Sequence, residues 1–539
     1  MTAPLRTLPA ALDDAARTGE GFVFVSGTTE RRRSYAELQD ASRRFARLLL
    51  ARGLRRGDLV ALVVSDSDQF LTALLGASIA GMVPASLYPP ATTTEFAHYL
   101  SATAGTLRSS GARAIVTSGS FAAAIAGLQS SCPDLALVIS WDGWQGAADP
   151  HSLCPDISLD EVAFVQFTSG STSEPRGVEI THRSLSANIE AINGPMGLGT
   201  SASDAAVSWL PLYHDMGLVG MALGAMYAGR PAVLMTPATF VKRPVEWLRA
   251  ISRHRGTVSF APNFAYDLCV RRVKERELEG LDLSCWRVAG CGGEPIHAAT
   301  LSAFARKFAP VGFRETSFLP SYGLAEHVLA ATFPPRGRAV RVAHLPGHLD
   351  IVSCGSPLPD HQLRIVNEEG LDVGERCTGE ITLAGPSVMR GYQGAGELTA
   401  QTIRNGWLHT GDLGFLDEGE LFVCGRIKDL LVVNGRKYHP QDLEWALDEL
   451  AGVRRGRAVA FGLSRAGTAD RVVIVIEPSG TVDGAALAHA IRQRVSETCG
   501  VYVDEIVPVP TGTIGRTTSG KVQRIATRLQ YERGELRSR

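Results

Sequence analysis

Short apolar runs alternate with helix-like stretches along most of the chain, and these runs end in glycine, serine or proline. Such runs are typical of parallel strands that are buried on both faces of a sheet. With helices between them, they indicate an α/β fold. The runs are LVALVVSDS from Leu59, ARAIVTSG from Ala112, LALVIS from Leu135, EVAFVQFTSGS from Glu161, AVLMTP from Ala232, TVSFAPN from Thr257 and WRVAGCGGEP from Trp286.

The pattern changes twice in the second half of the chain. After about Arg341 the runs HQLRIV, GEITLAG and GELFVCGR are shorter and more alternating, which predicts a small antiparallel or barrel-like region. From about Leu430 strands such as RVVIVIEP mix with helices such as PQDLEWALDEL and GAALAHAIRQRVSE. We therefore predict two domains, residues 1–427 and 428–539, with a boundary near Ile427–Leu430.

One uncharged stretch, Phe70 to Pro90, is long enough to cross a bilayer. Gly76, Gly81 and Pro84 interrupt it, so we predict a buried helix followed by a buried strand and no stable membrane insertion. The first residues carry acidic side chains where a signal peptide needs its apolar run. A cytoplasmic enzyme is the resulting expectation.

Composition narrows the function classes. The 539 residues correspond to three or four domains at about 150 residues each. The 54 basic and 55 acidic side chains give a net charge of −1, which removes the usual electrostatic argument for nucleic acid as a partner. The nine cysteines are odd in number and include no CxxC pair, so we expect small core residues rather than disulfides or a zinc site.

The polar, glycine-rich stretch from Thr168 to Gly177 is the first candidate site. It follows the apolar run AFVQF and precedes VEITHRSLSANIE, a strand that turns into a helix. Small residues let backbone N–H groups approach an anion, and Arg176 adds a positive charge, so the stretch favours polyphosphate binding. A flexible surface loop is the alternative interpretation.

This stretch is not a P-loop, because no Gly-Lys-Ser/Thr follows its glycines. A closer mimic, Gly515 to Lys521, is followed by Val522 where a P-loop needs a hydroxyl group, and little chain remains after it. The sequence also lacks GxSxG, HExxH and a GxGxxG after a strand. Serine hydrolases, zinc hydrolases and dinucleotide oxidoreductases therefore lose their usual signatures.

Eight motifs in order resemble the adenylate-forming superfamily of acyl-CoA synthetases, peptide-synthetase adenylation domains and luciferases. The resemblance covers nearly the whole chain, and within the superfamily it is strongest to the fatty acyl-AMP ligases. The motifs are FTSGSTSEPRG (Phe167–Gly177), WLPLYHDMG (Trp209–Gly217), GGEP (Gly292–Pro295), SYGLAE (Ser321–Glu326), TGDLG (Thr410–Gly414), GRIKD (Gly425–Asp429), NGRKYHPQDLE (Asn434–Glu444) and TTSGK (Thr517–Lys521).

The resemblance implies a large N-terminal domain of two doubly wound α/β subdomains and a small β-barrel-like subdomain, followed by a small mobile α+β domain. It implies that ATP and Mg²⁺ are used to convert a carboxylic acid into acyl-AMP and pyrophosphate. A carboxylic acid with a pKa of about 4–5 is already ionised at pH 7, so the reaction needs charge neutralisation and in-line positioning rather than a general base.

The resemblance also implies a role for each matching residue. Thr168, Ser169, Gly170, Ser171 and Thr172 would wrap the β- and γ-phosphates beside Arg176, and Glu326 and Thr172 would bind Mg²⁺. Gly292, Gly293 and Glu294 would line the adenine side, with Tyr322 stacked on the base next to Gly323. Asp412 would bind the ribose hydroxyls with help from Arg426, and Lys521 would bind the developing charge between the carboxylate and the α-phosphate. His214 would lie beside the acyl tunnel, where its neighbourhood gates the carboxylate, and Lys428 would be the hinge.

Two positions depart from the superfamily pattern, Ser173 for glycine and Arg176 for lysine, and both retain the function expected of the loop. Taken singly, the other residues have plainer interpretations. Glu326 and Asp412 alone would be surface carboxylates, Lys521 a solvated lysine, and His214 part of a loop. Asn263 and Phe264 are expected to be pocket wall.

The acyl acceptor stays open between CoA and a carrier protein. Many acyl-AMP ligases carry an insertion after the YGLAE motif that is thought to block the CoA-bound arrangement, whereas the segment His327–Ser353 is short here. An apolar acid, either linear or bulky, is the expected substrate. A non-catalytic homologue is the alternative from another class, and retention of Glu326, Asp412, Arg426 and Lys521 together argues against it.

Overall fold

Two seven-stranded sheets form the frame of the N-terminal part in a computed structural model that describes residues 4–27, 29–90, 96–143, 156–168, 175–344, 350–433, 436–463, 471–480, 483–516 and 522–536. In spatial order, the first sheet contains Gly391–Tyr392, Arg176–Thr181, Val162–Thr168, Val83–Ser86, Leu59–Val63, Ala114–Thr117 and Leu137–Ser140. The second contains Phe318–Pro320, Val288–Cys291, Val258–Ala261, Ala206–Ser208, Ala232–Met235, Gly21–Ser26 and Thr29–Ser34.

Both sheets are mainly parallel, as the apolar runs predict. Every residue of Leu59–Val63 is buried, and this strand pairs in parallel with Val83–Ser86 on one side and Ala114–Thr117 on the other. Antiparallel pairs occur at one edge of each sheet, where Arg176–Thr181 and Thr29–Ser34 join. The α/β expectation is confirmed.

The helices cover these sheets and recur in the C-terminal part. Their starts follow local sequence signals, as at Ser34, whose side chain and Glu37 form a reciprocal capping box before Tyr35–Ala51. The α-helices are Leu8–Ala15, Tyr35–Ala51, Ser67–Ile79, Phe96–Ser110, Gly119–Ala126, His182–Asn193, Gly224–Tyr227, Pro237–Lys242, Val245–Arg253, Asn263–Arg272, Ala298–Phe308, Gly396–Thr402, Pro440–Ala446, Gly484–Cys499 and Arg524–Glu532.

Shorter helical turns lie between these elements. A π-helix, Met216–Leu223, precedes Gly224–Tyr227, and π-helical segments often mark functional sites. The 3₁₀ turns are Gly127–Ser130, Trp141–Gly143, Glu275–Glu277, Ala309–Val311, Glu315–Ser317, Ala325–His327 and Ile427–Asp429.

The uncharged stretch from Phe70 to Pro90 folds as predicted. The helix Ser67–Ile79 is buried over most of its length and leads into the strand Val83–Ser86. Within the described residues, none of the helices combines the length and apolar character that a membrane span requires. Among the described cysteines, Cys132, Cys269, Cys291, Cys354, Cys424 and Cys499 are buried thiols, as the core interpretation predicts, whereas Cys285 is half-buried and Cys377 is exposed, so the interpretation is wrong for Cys377.

The region after Arg341 is antiparallel and does not close into a barrel in the described part of the chain. Its five-stranded sheet contains Gln362–Val366, Gly379–Ala384, Trp407–Asp417, Ile403–Arg404 and Glu420–Arg426. Two smaller sheets lie beside it, one of Tyr322–Gly323, Ala330–Phe333 and Ser356–Pro357, the other of Val342–Ala343 and Ile351–Val352. Of the two sequence expectations, the antiparallel one describes the strand pairing.

A separate hydrophobic core begins after the helical turn Ile427–Asp429. It includes Leu431, Leu443, Ile474 and Ile491, whereas the main core contains residues up to Leu421. Around it lie the two-stranded sheet of Leu431–Val433 and Arg436–Tyr438 and the three-stranded sheet of Val453–Leu463, Arg471–Pro478 and Glu505–Pro508. This part of the chain mixes strands and helices, as the sequence pattern after about Leu430 predicts.

A buried carboxylate fastens the amino ends of three neighbouring strands in the second sheet. Asp204 accepts hydrogen bonds from Arg287 at 2.6 and 2.7 Å, from the Thr257 hydroxyl at 2.6 Å and from the Ser201 N–H at 2.7 Å. Burial opposes ionisation of Asp204, but these donors outweigh it and lower the pKa of its carboxyl to about 2.

This pKa predicts a pH-dependent stability. Because the folded pKa lies below the ordinary value of about 3.9, the contribution of Asp204 is present above that value and is lost as the pH falls toward 2. Between pH 5 and about pH 2 the wild type should lose about 2 kcal/mol more unfolding free energy than Asp204→Asn. Denaturant unfolding of both proteins across this range measures the difference, and parallel pH profiles would contradict the prediction.

Candidate active site

One cavity of about 2250 Å³ lies where strands of both large sheets end, a common ligand position in open α/β sheets. The strand Val162–Thr168 reaches it from one sheet, and Val288–Cys291 and Phe318–Pro320 lead to it from the other. All predicted site residues within the described ranges line it: Thr168, Arg176, His214, Gly292, Gly293, Glu294, Tyr322, Gly323, Glu326, Asp412, Arg426 and Lys428. Ser169, Gly170, Ser171, Thr172 and Lys521 lie outside the described residues.

The ends of the predicted phosphate loop meet at this cavity. Thr168, the last residue of its strand, is paired in antiparallel register with Arg176, the first residue of the next strand. The guanidinium carbon of Arg176 lies 5.7 Å from the centre of the Tyr392 ring, within cation–π distance. This pairing places a fixed positive charge at the cavity.

The Glu326 carboxylate faces the same corner. Tyr392 donates a hydrogen bond from its hydroxyl to Oε1 of Glu326 at 2.7 Å. Burial, followed by the charge of Glu326, raises the pKa of Tyr392 above its usual value, so the phenol stays protonated and donates. Within the part of the chain that the structure describes, Oε2 of Glu326 has no hydrogen-bond partner, so it is open to a cation.

Asp412 is a buried carboxylate held between two donors. The Tyr322 hydroxyl donates to Oδ2 at 2.8 Å, and Nε of Arg426 donates to Oδ1 at 2.9 Å. The negative charge of Asp412 raises the pKa of Arg426, while burial and then that same charge raise the pKa of Tyr322. Each carboxylate oxygen keeps a lone pair, so Asp412 can still accept hydrogen bonds from a ligand.

The segment after Val288–Cys291 makes close backbone contacts. A Cβ on Gly292 would lie 2.7 Å from the Ser321 carbonyl oxygen, and Gly293 has φ of +78°, a conformation suited to glycine. Glu294 accepts a hydrogen bond at 2.7 Å from the N–H of Phe264, and Asn263 accepts one at 3.1 Å from the N–H of His297. These bonds fix the segment against the helix Asn263–Arg272 and form one wall of the cavity.

The cavity continues into an apolar branch near His214. The Nδ1 atom of His214 lies 2.7 Å from Oδ1 of Asp215, at the start of the π-helix Met216–Leu223. Apolar residues from this helix, the helix His182–Asn193, the strands Val258–Ala261 and Ala330–Phe333 and adjoining loops line the branch: Ile192, Leu198, Met216, Phe260, Leu329 and Phe333. Gly220 adds no side chain at a point where a Cβ would lie 2.9 Å from Cδ2 of Leu329.

The C-terminal part also lines the cavity. Arg516 and Val522, the described residues that flank the segment containing Lys521, both line it. Arg524, just beyond, donates to Glu444 at 2.9 Å and to Asp429 at 2.7 Å. Asp429 belongs to the turn Ile427–Asp429, so an ion-pair network joins that turn to the C-terminal core.

Tyr392 and Gln166 were not predicted from the sequence. Tyr392 reaches Glu326 only because its strand Gly391–Tyr392 pairs with Arg176–Thr181. Gln166 donates to the Tyr213 carbonyl at 2.8 Å and so links the strand end to the loop before His214. Neither contact has a sequence signal, since both join segments far apart in the chain.

Gly323 gives a direct test of how tightly the site is packed. A Cβ at this position would lie 1.8 Å from the Leu329 carbonyl oxygen, so Gly323→Ala must push the strands Tyr322–Gly323 and Ala330–Phe333 apart. We expect at least a tenfold loss of ATP-dependent activity and a lower melting temperature, as for overpacked cores. Gly374→Ala is the control because no atom lies within 4 Å of its Cβ. Equal activity of the two variants would contradict the close packing.

Comparison with known proteins identifies the family. The AMP-binding enzyme family matches residues 12–393. A Caulobacter vibrioides protein named as an acyl-CoA synthetase is 35% identical over 562 residues, covering 98% of this chain and 96% of that protein. JamA of Moorena producens, a medium-chain-fatty-acid–[acyl-carrier-protein] ligase, is 33% identical over 542 residues, covering 93% of this chain and 90% of JamA.

A solved structure supports the same assignment. It comes from work on fatty acyl-adenylate ligases from E. coli and L. pneumophila, has 36% identity and a TM-score of 0.92, and covers 99% of both chains. These findings confirm the resemblance stated from the motifs and the mixed α/β fold with a large N-terminal and a smaller C-terminal domain, although the barrel-like region does not close in the described residues. The chain therefore belongs to the AMP-binding enzyme family, whose members use ATP, and is an adenylate-forming acid ligase.

Proposed function

We propose that the enzyme activates an apolar carboxylic acid with ATP to give acyl-AMP and pyrophosphate. The observation that carries this proposal is the set of residues that line the one cavity of about 2250 Å³. The lining includes the polar side chains of Glu326, Asp412 and Arg426 and the apolar residues of the branch, among them Met216 and Phe333. A nucleotide and an acyl chain can therefore meet in one cavity, with the carboxylate at their junction.

The proposed step needs no general base. An oxygen of the ionised carboxylate attacks the α-phosphorus of ATP, and the bond from that phosphorus to the β-phosphate oxygen breaks, which releases pyrophosphate. Negative charge gathers around the reacting groups, and fixed cations lower the barrier. We assign Arg176 and the loop residues Thr168, Ser169, Gly170, Ser171 and Thr172 to the departing phosphates. We assign Lys521 to the α-phosphate and carboxylate.

The residues present fit Mg²⁺. This ion is commonly held by one or two carboxylates together with substrate phosphates. Oε2 of Glu326 is open to a cation. Within the described ranges, no group of three or more His, Cys, Asp or Glu residues could hold a metal ion without substrate. We propose that Glu326 and Thr172 hold Mg²⁺, which when bound neutralises phosphate charge.

We place the nucleoside at the other polar groups. Asp412, oriented by Tyr322 and Arg426, would accept hydrogen bonds from the ribose hydroxyls, and Gly292, Gly293 and Glu294 would border the adenine. The ring of Tyr322 would stack on the base beside Gly323. His214, which also lines the cavity, would gate the acid carboxylate.

We propose that the acyl group then passes to the thiol of a carrier protein, because JamA, which aligns over 93% of this chain, is named as a carrier-protein ligase. CoA is the alternative acceptor. Lys428 would serve as a hinge between domains 1–427 and 428–539, since it is exposed and lies between the two separate cores. The use of ATP favours action in the cytoplasm.

Product analysis by mass spectrometry tests the proposal. The enzyme is incubated with ATP, Mg²⁺ and a panel of linear, aromatic and polycyclic acids, with and without CoA. We expect acyl-AMP and pyrophosphate with apolar acids, and acyl-AMP that persists when CoA is present. Conversion to acyl-CoA would replace the carrier protein by CoA as the acceptor, and no adenylate with any acid would contradict the proposal.

A further inference from the structure

The turn that follows Glu326 is strained. Tyr322–Gly323 and Ala330–Phe333 pair in antiparallel fashion, so residues 324–329 form the loop of a hairpin and Glu326 lies within it. Val328 has φ of +63° and ψ of −61°, and the Leu329 N–H donates to the His327 carbonyl at 2.7 Å. This is the γ-turn of positive φ, which is rare, and a β-branched residue makes it costly.

A side chain from another element holds the end of this turn. Asn188, fully buried in the helix His182–Asn193, accepts a hydrogen bond from the Ala330 N–H at 3.2 Å and donates one from Nδ2 to the Ala330 carbonyl at 2.8 Å. One side-chain amide therefore contacts both backbone groups of the residue just after Leu329, and Nδ1 of His327 lies 3.2 Å from the same carbonyl. The amide acts as a strand partner for Ala330 without being part of the sheet.

Further hydrogen bonds fix the orientation of the Asn188 amide. Nδ2 of Asn188 also donates to the Ser387 hydroxyl at 3.1 Å. That hydroxyl lies 2.5 Å from Nε2 of His361, whose Nδ1 is 2.7 Å from the Pro359 carbonyl. Because the Pro359 carbonyl can only accept, Nδ1 of His361 donates to it and Nε2 accepts from the Ser387 hydroxyl. The hydrogen bonds from Pro359 through His361 and Ser387 are therefore all consistent with one orientation of the Asn188 amide.

The turn separates the two ends of the site. Glu326 precedes it and faces Tyr392, whereas Leu329 follows it and lines the apolar branch against Gly220. The helix that carries Asn188 begins directly after the strand Arg176–Thr181, which borders the phosphate loop. Asn188 itself does not line the cavity, so any role in the reaction must act through the residues it holds.

We propose that Asn188 is a positioning residue that holds the strained turn at Val328 and thereby sets the Glu326 carboxylate for the phosphate-bound cation. This proposal rests on the proposed function, in which Glu326 binds Mg²⁺. Without the two bonds to Ala330, the turn relaxes toward negative φ at Val328. The Glu326 side chain then leaves the position fixed by Tyr392, and Leu329 shifts in the acyl branch.

The test combines a variant that loses the hydrogen bonds between Asn188 and Ala330 with a variant that relieves the backbone strain at Val328. Asn188→Leu keeps the side-chain size but removes both hydrogen bonds between the amide and Ala330, which leaves the Ala330 N–H without its side-chain acceptor and the carbonyl with only Nδ1 of His327, 3.2 Å away. We expect the Mg²⁺ concentration at half-maximal pyrophosphate release to rise about tenfold, with most of the rate recovered at saturating Mg²⁺. Adding Val328→Gly should bring this concentration back to within about threefold of wild type, because glycine adopts positive φ at little cost.

A matched control separates positioning from general stability. Asn193 lies on the same helix, and its side chain makes two hydrogen bonds, to the Gly224 carbonyl at 3.0 Å and from Thr200 at 2.9 Å. Asn193→Leu should lower the melting temperature without changing the Mg²⁺ dependence. If Asn188→Leu behaves like Asn193→Leu, or if Val328→Gly adds a further loss instead of a rescue, the proposal is wrong.

Two further measurements keep the test decisive. If Asn188→Leu does not fold, Ser387→Ala removes only the support behind the amide and should raise the same Mg²⁺ concentration about threefold, again rescued by Val328→Gly. The rise in melting temperature with Mg²⁺ and ATP, measured without any acid, should also need more Mg²⁺ in the variants. If the wild type makes no acyl-AMP but the variants still need more Mg²⁺ than the wild type for this rise in melting temperature, the proposed reaction is wrong and the role of Asn188 stands.

Discussion

Replacing Lys521 by alanine should reduce the rate of acyl-AMP formation by about 10²–10³-fold or more while the protein stays folded. The described residues that flank the segment, Arg516 and Val522, line the cavity that contains Glu326 and Asp412. An ammonium group supplied there would stabilise the charge that develops between carboxylate and α-phosphate. Single-turnover formation of acyl-AMP measures this step without the following transfer.

The control for this variant is another lysine. Lys274 is exposed and does not line the cavity, so Lys274→Ala should leave the rate unchanged. Circular dichroism and the melting temperature show whether Lys521→Ala keeps its fold. Full single-turnover activity of Lys521→Ala would remove the proposed role of this lysine.

Replacing Asp412 by asparagine should lower kcat/KM for ATP by about 10²-fold. The substitution keeps the shape of the side chain but removes the charge that Arg426 and Tyr322 orient. The uncharged amide is a weaker acceptor for ribose hydroxyls, and Arg426 loses its counter-ion. Initial rates of pyrophosphate release at varied ATP concentration measure the effect.

Asp417→Asn is the matched control, because Asp417 lies on the same strand as Asp412 and is also ion-paired. Its carboxylate is 2.9 Å from both Arg341 and Arg376, and it does not line the cavity. We expect it to change stability but not kcat/KM for ATP. Equal kinetic losses in the two variants would mean that Asp412 supports the sheet rather than the nucleotide.

The parallel strands of the two large sheets could be predicted because burial on both faces leaves a clear sequence record. Leu59–Val63 and Val258–Ala261 are apolar at nearly every position and end at turn residues. The edge strand Thr29–Ser34 was not predicted, since its sequence TERRRS has no apolar face. It is held by pairing with Gly21–Ser26 and by Arg31 and Arg33, which form ion pairs with Asp68.

The candidate site was predicted by resemblance to a family rather than by pattern. Taken singly, Glu326 and Asp412 do not differ from surface carboxylates in sequence, and only their shared cavity sets them apart. The contacts of Tyr392 and Asn188 arise from tertiary pairing, which no local pattern records. The sequence HVLA also does not predict the positive φ of Val328, because valine normally avoids that conformation.

The most direct test of the central claim follows an oxygen atom. A medium-chain fatty acid labelled with oxygen-18 in its carboxylate is incubated with the enzyme, ATP, Mg²⁺ and a thiol acceptor. The mass of the nucleotide product is then measured by mass spectrometry. If the carboxylate attacks the α-phosphorus, the AMP released on transfer carries one labelled oxygen. Unlabelled AMP, or ADP together with labelled phosphate, would contradict an acyl-AMP intermediate and with it the function proposed for this cavity.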